Sequence, residues 1–306
     1  MRAVCALPLV VASLSSCSRG PGTTGVAPSS SAPAAVSLSA SASPAPGRLF
    51  DEPADAFRAV LEQRPLVLAV GEAHAQKSAA GATSSAKRFT ETMLPELAGK
   101  ASDLILELMV PPTACEARTK AVDKQMHEVT APQAETNQNE YVALGDAAQR
   151  LAIEPHLLHP TCDDFKALTA RDADATDTSL VLIARLLRET AKRALARNES
   201  RGVEKIVVVY GGAMHNDLEP MAGMADYAYG PAVAALAKGR YVELDVFVPE
   251  LVRDSGLWPK LAWYKHFDRR AHPNKTTLFA APAADAGASF TMILPASRDA
   301  TAVSPP

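Results

Sequence analysis

Ile206-Val207-Val208-Val209-Tyr210-Gly211-Gly212-Ala213-Met214-His215 is the stretch that decides the fold. Four successive β-branched residues and a tyrosine suit a strand, and an unbroken apolar run suits one covered on both faces rather than one. Antiparallel strands with a wet face alternate; strands of a parallel sheet do not. The clearest strand therefore spans Lys205 to Tyr210. Two glycines follow it, permitting a sharp turn or close approach of the backbone to a ligand. His215 then falls at the sheet edge, with Asn216 or Asp217 positioned to cap a helix starting at Leu218.

The same grammar recurs upstream. Pro65 to Val70 is apolar and is closed by Gly71, so Glu72 and His74 lie just beyond the strand's carboxyl end. Asp103 to Val110 is apolar except for Glu107. Further strands are expected at Ile153–Leu158 and Tyr241–Val248, and two short ones, Thr277–Ala280 and Ser289–Leu294, are expected to pair at an edge. Helical spacing marks Ser84–Leu97 (Phe89, Met93, Leu94 and Leu97 on one side), 113–128, 139–151, 178–197 and 230–238. Strands alternating with helices predict an α/β fold: a mostly parallel central sheet with helices on both faces. Arg185, Arg188, Lys192, Arg193 and Arg197 of helix 178–197 read either as an anionic-lipid patch or as a solvated face, and the solvated face is preferred because acids are mixed among them and net charge is negative.

The 306 residues divide into an N-terminal segment and one domain. Arg2, the apolar stretch Ala3–Leu14 and Leu14-Ser15-Ser16-Cys17 have the form of a signal peptide ending in the lipobox of a bacterial lipoprotein, with Cys17 as the lipidated residue. That implies export and a membrane partner, through a lipid anchor in the cell envelope that holds the domain on the periplasmic side. Residues 18–47, rich in Ser, Ala, Pro and Gly, read as a flexible tether. Residues 48–295 form the single α/β domain and 296–306 a flexible tail. Formal net charge is -3 and aromatics are 5%, so neither a basic surface nor a stacking platform argues for nucleic acid. Beyond Cys5 and Cys17, Cys115 and Cys162 remain, free to pair or to stay separate buried thiols.

Period-two alternation sets Glu107 beside Ile105 and Met109 on a face removed from water. A buried carboxylate must be protonated, paired or bound to metal, and Arg88 is one candidate structural partner. Parallel sheets bind ligands outside the carboxyl ends of their strands. His74, His215, Glu107 and Glu72 are thereby expected to converge in one crevice around a small-molecule or peptide ligand. Two histidines and a carboxylate suit a divalent transition metal, held by His74, Glu107 and His215 with positions open for water and substrate. Without metal, the same groups serve acid–base catalysis.

Gly71-Glu72-Ala73-His74, the strand residue Glu107 and Gly212-Ala213-Met214-His215, in that order, resemble the signature of a superfamily. It holds the ChaN-like haem-binding lipoproteins, the Tiki/TraB proteins and the erythromycin esterases. The resemblance spans roughly residues 60 to 250 and implies Glu72, His74, Glu107 and His215 as the site. Its members differ in activity: the Tiki branch contains metal-dependent proteases, the esterases open a lactone, and the ChaN-like branch binds haem. Two expectations follow. One is an envelope-anchored hydrolase, metal-dependent or using His and Glu directly. The other is a haem- or iron-binding lipoprotein without turnover, for which Tyr210 and Tyr264 are candidate ligands. His159 is expected at a turn, His127 on a polar helix, and His266 and His272 in a surface loop.

Overall fold

The computed structural model describes residues 47–170, 175–281 and 286–297. Cys17 and the lipobox lie outside them, as do almost all of the tether and most of the tail. Eight strands form one sheet: β1 (Arg48–Phe50), β2 (Val67–Glu72), β3 (Ala101–Met109), β4 (Glu154–Leu158), β5 (Ile206–Gly212), β6 (Tyr241–Phe247), β7 (Thr276–Ala280) and β8 (Gly287–Ile293). Their spatial order is β1-β7-β8-β6-β2-β5-β3-β4. From β8 to β4 every neighbouring pair is parallel, and only β7 runs against its neighbours β8 and β1. The α/β architecture is thus as the apolar runs imply. The two C-terminal strands do pair with each other, but β8 is an inner strand and β1 covers the far side of β7.

Helices cover both faces. On one, α1 (Pro53–Leu61), α2 (Ser85–Arg88) with the turn that follows it, and α4 (Asn137–Arg150) bury Phe57, Val60, Phe89, Tyr141 and Leu144 against Leu68, Val70, Leu104, Val208 and Tyr210. On the other, α3 (Glu116–Thr130), α5 (Cys162–Leu168), α6 (Ala175–Ser200) and α8 (Gly230–Ala234) bury Val122, Phe165, Ile183, Leu187 and Val233 against Val67, Ala69, Ile105, Val207 and Val209. Odd and even residues of one strand feed opposite cores, which is why these strands lack polar alternation. A capping box on Thr161 and Asp164 starts α5, and the Cys115–Cys162 disulfide ties its first residue to the loop that opens α3.

Ser84–Leu97 departs from a regular helix. After α2 the backbone widens to a π-turn over Phe89–Met93 and tightens to a 3-10 turn over Leu94–Leu97. Pro95 lacks the N–H that a continuing α-helix needs and its ring crowds the preceding turn. Phe89, Met93, Leu94 and Leu97 are nevertheless all buried. Pro295 and Ser297 are held in place: Arg88 donates to the Pro295 carbonyl at 2.5 Å and to the buried Ser297 hydroxyl at 2.8 Å. Arg88 is therefore committed to Pro295 and Ser297 and is not the partner of Glu107.

The chain runs from β2 outward to β3 and β4, returns to β5, then crosses β2 to reach β6 and β8. The sheet's direction of growth reverses beside β2, and the crevice at such a point is where open α/β sheets bind ligands.

Candidate active site

Strand β2 is longer than its apolar run, because Gly71 and Glu72 continue the ladder, paired with Gly211 and Gly212 of β5 and with Asp245 and Val246 of β6. The two glycines after Tyr210 likewise extend β5 rather than turning it. Their use is space. A Cβ on Gly211 would run into Glu107, 3.0 Å from its Cβ and closer still to its carboxylate. A Cβ on Gly71 would lie 2.5 Å from Asp245 Oδ1 and 2.6 Å from the Ala213 backbone. Across β6, β2, β5 and β3 the order is thus Asp245, Gly71, Gly211, Glu107: two carboxylates flanking two missing side chains, with Ala213 and Asn216 seated over Gly71.

Glu107 is buried, and its Oε2 accepts the Gly212 N–H at 2.6 Å. Its Oε1 is buried without a partner. Glu72 occupies the opposite pleat and is fully engaged: Oε1 accepts from His74 Nδ1 at 2.8 Å and from the Tyr141 hydroxyl at 3.1 Å, and Oε2 accepts from the Tyr210 hydroxyl at 2.7 Å. Burial foremost, and then the charge of Glu72, pushes both tyrosines well above the usual phenol range, so they remain O–H donors. With its Nδ1 hydrogen donated to Glu72, His74 presents an Nε2 lone pair, and that atom too is buried without a partner. His215, on the short helix α7 (Ala213–Asn216), gives its Nδ1 hydrogen to the Tyr227 carbonyl at 2.6 Å. Its Nε2 lies 3.8 Å from Glu107 Oε1, beyond hydrogen-bond reach. The Cβ position of Gly212 marks the common point: it is 3.4 Å from His74 Nε2, 3.6 Å from Glu107 Oε2 and 3.7 Å from His215 Cδ2.

Glu72, His74, Gly212 and His215 line the floor of a cleft of about 730 Å³, and Glu107 lies behind Gly212, outside that lining. Met214, Met221, Met224, Phe247, Trp258 and Leu261 supply apolar walls, and Arg253, Asp217 and Asp245 supply polar ones. A volume of that size holds a small-molecule ligand.

All four site residues expected from the sequence therefore meet. Three other expectations change. Tyr210 is completely buried behind Glu72 and donates to it, so it holds the carboxylate and offers no oxygen to a haem in the cleft. Tyr264 starts a 3-10 turn (Tyr264–His266) outside the residues that line the cleft and donates to Asp254, so it offers no oxygen there either. Asp217 ends α7 instead of capping a new helix, while Asn216 bridges the Ala69 carbonyl at 3.3 Å and Asp245 at 3.0 Å.

The fit to a metal is partial. Two bare buried donor atoms, on His74 and Glu107, are what a cation site needs. Yet among the described residues the trios whose donor atoms all lie within 4.8 Å of one another are Asp103, Glu154 and His156, and Asp217, Glu243 and Asp245. His215 and Glu107 are close, so His74 is the donor that stands outside a shared coordination shell. Groups able to hold a metal ion are present in the molecule, but His74, Glu107 and His215 do not form a three-ligand shell as they stand. In the first close trio, a guanidinium hydrogen of Arg197 is already on Asp103 Oδ1, and the same nitrogen is 3.1 Å from His156 Nε2, filling the cation's place.

The second trio lines and underlies the cleft. Burial foremost, and then Glu243, pushes Asp217 up to about 8 and Asp245 well above the usual carboxylate range. Glu243 is also raised by burial, but accepts from the Ser289 hydroxyl at 2.7 Å and from the Leu218 N–H at 2.5 Å. Glu243 and Asp245 alternate within an apolar strand just as Glu107 does, a signal that the sequence carried and that pointed to this face. Tyr141 gave no such signal, because a tyrosine at helical spacing reads as ordinary core.

No family model matches this sequence, and no curated protein matches it. Among solved structures, the type III effector HopBA1 is similar at a TM-score of 0.40 with 11% sequence identity, over 82% of this chain and 97% of that one. That likeness is too loose to bear on fold or function.

Proposed function

We propose that this protein is a hydrolase in which His74, oriented by Glu72, removes a proton from a water standing over Gly212. The observation that carries the reading is the gathering of His74 Nε2, Glu107 Oε2 and His215 around Gly212, beneath a cleft that His74, Gly212 and His215 line. His74 has the geometry of a general base: one nitrogen fixed by a carboxylate, the other bare and facing inward. The water's oxygen attacks the carbonyl carbon of an ester or amide as its proton passes to His74 Nε2. The Glu72 carboxylate, held by two tyrosine hydroxyls, stabilises the imidazolium. When the carbon–heteroatom bond breaks, that proton goes to the leaving group. Glu107, anchored on the Gly212 N–H, and His215, anchored on the Tyr227 carbonyl, hold the water and the substrate's polar atoms in place.

The cellular setting belongs to the same proposal. The signal-like segment ending at Cys17 supports an exported, lipid-anchored protein, and the Cys115–Cys162 disulfide agrees with an oxidising compartment.

The test is hydrolysis of a panel of p-nitrophenyl esters and chromogenic peptides by the purified protein. His74→Ala and Glu72→Gln are expected to lower kcat/KM by about 10²- to 10⁴-fold, the usual contribution of a positioned base. Full activity in both variants would remove the hydrolase reading. The finer expectation of a transition metal is read by elemental analysis: a stoichiometric metal that is lost in His74→Ala replaces direct proton transfer with metal-activated water. Binding without turnover is read by hemin titration, where a shifted Soret band lost in His215→Ala replaces hydrolysis with haem binding.

A further inference from the structure

A second cavity, of about 240 Å³, lies between the edge strand β4 and helix α6. From α6 come Thr190, Arg193 and Arg197, spaced three and four apart and so stacked on one helix face. From β4 and the turn after it come His156 and His159. The lining thus brings two guanidiniums, two imidazoles and a hydroxyl together and contains no carboxylate.

Two acids lie nearby, outside the lining: exposed Glu154, whose Oε2 is 4.0 Å from an Arg197 terminal nitrogen, and a buried one beneath. Asp103, 1% exposed, accepts from His156 Nε2 at 2.7 Å, from one terminal nitrogen of Arg197 and from Asn198 at 3.4 Å. That buried carboxylate locks the Arg197 side chain and balances its charge. Arg193 has no such counterion: it donates to the Thr190 hydroxyl at 2.9 Å and forms no ion pair with a carboxylate among the described residues. A cation is disfavoured here, since Arg197 already occupies the space that Asp103 and His156 would offer to it.

We propose that this pocket binds a small tetrahedral oxyanion of the phosphate-monoester class, through Arg193, Arg197, His159 and the Thr190 hydroxyl. Guanidiniums present forked donors that match phosphate oxygens, and one of the two is pre-ordered by a buried carboxylate. The pocket is three strands away from β2, so the anion docks or positions the molecule and takes no part in the chemistry at His74. The same headgroup chemistry is offered by a soluble phosphate ester and by a phosphomonoester lipid.

The test is calorimetric titration of inorganic phosphate into the full chain carrying Cys17→Ser, at low ionic strength. Saturable binding at one site is expected, weakened roughly tenfold or more in Arg193→Gln and in His159→Gln, with unchanged melting temperature. Both residues are exposed, so these variants keep the fold. A second arm uses phosphatidylcholine vesicles with and without phosphatidic acid. Retention on the phosphatidic acid vesicles that phosphate displaces identifies a lipid headgroup; phosphate binding without retention identifies a soluble ester. No saturable binding in either arm, or affinity unaltered by Arg193→Gln, overturns the proposal.

Discussion

Replacing Gly212 by alanine separates the chemistry of the site from its architecture. Gly212 has φ −66 and ψ 137, a conformation any residue adopts. Its added methyl carbon would lie 3.4 to 3.7 Å from His74, Glu107 and His215, ordinary contact distances that require nothing to move. The folded protein is therefore expected to be unharmed, and restricting the unfolded chain adds about 0.4–1 kcal/mol of stability. The methyl does, however, occupy the position where a water must stand about 2.8–3.0 Å from His74 Nε2 to lose its proton. Activity is expected to fall by about 10²- to 10⁴-fold, as if the base had been removed. Gly211→Ala is the matched control one residue earlier. Its methyl collides with Glu107, a strain of about 1–3 kcal/mol. Urea midpoints and kcat/KM on the best ester measure both variants. Wild-type turnover in Gly212→Ala would show that the reacting atoms lie elsewhere, and destabilisation equal to that of Gly211→Ala would show that the cup around Gly212 is wrongly described.

Tyr210→Phe leaves Glu72 Oε2 buried without a donor; a loss of about 1–3 kcal/mol by denaturant titration is expected, with a fall in kcat as His74 loses its fixed partner. Asp103 gives the protein an acid-sensitive contact. Burial, the largest influence, raises its pKa, but hydrogen bonds from His156 and Ser102 and the charge of Arg197 outweigh it and hold the group at about 2 against 3.8. A carboxyl depressed on folding stabilises above its unfolded value, so about 2 kcal/mol is present above pH ~4 and lost as pH falls toward ~2. Stability measured against pH should lose that slope in Asp103→Asn. The Cys115–Cys162 bond closes a 47-residue separation, for which chain entropy gives about 4 kcal/mol. Reduction, or Cys115→Ser with Cys162→Ser, should lower the urea midpoint accordingly, and an unmoved midpoint would show that the pair contributes little.

Much of the fold was legible because burial on both faces leaves its mark on β2, β3, β5 and β6. Glu107 stood out for the same reason: one acid in such a run must have a purpose. What was not legible is whatever depends on neighbours distant in sequence. Tyr141 and Tyr210 hold Glu72 from a helix and from the next strand, and nothing local distinguishes them from packing residues. Of the two readings of the glycine pair, the sharp turn does not occur, because Gly211 and Gly212 continue β5, and what their missing side chains leave is room for Glu107 and for the cup beside it. Pro95, by contrast, was a visible obstacle to a regular helix, and the apolar spacing around it still found the buried face correctly. His156 lies on an element read as plain strand and Arg197 on a helix face read as solvated, since their pairing arises only when Asp103 joins them.

The placement of β2 has a consequence for how the molecule is made. Its residues emerge early, yet the strands on either side are Ile206–Gly212 and Tyr241–Phe247. During synthesis the segment bearing Glu72 waits as an unpaired apolar ribbon while well over a hundred further residues are added. Contacts so remote in sequence close slowly. The cup around Gly212 thus matures among the last parts of the protein, and an incomplete chain carries Glu72 and His74 without the neighbours that orient them.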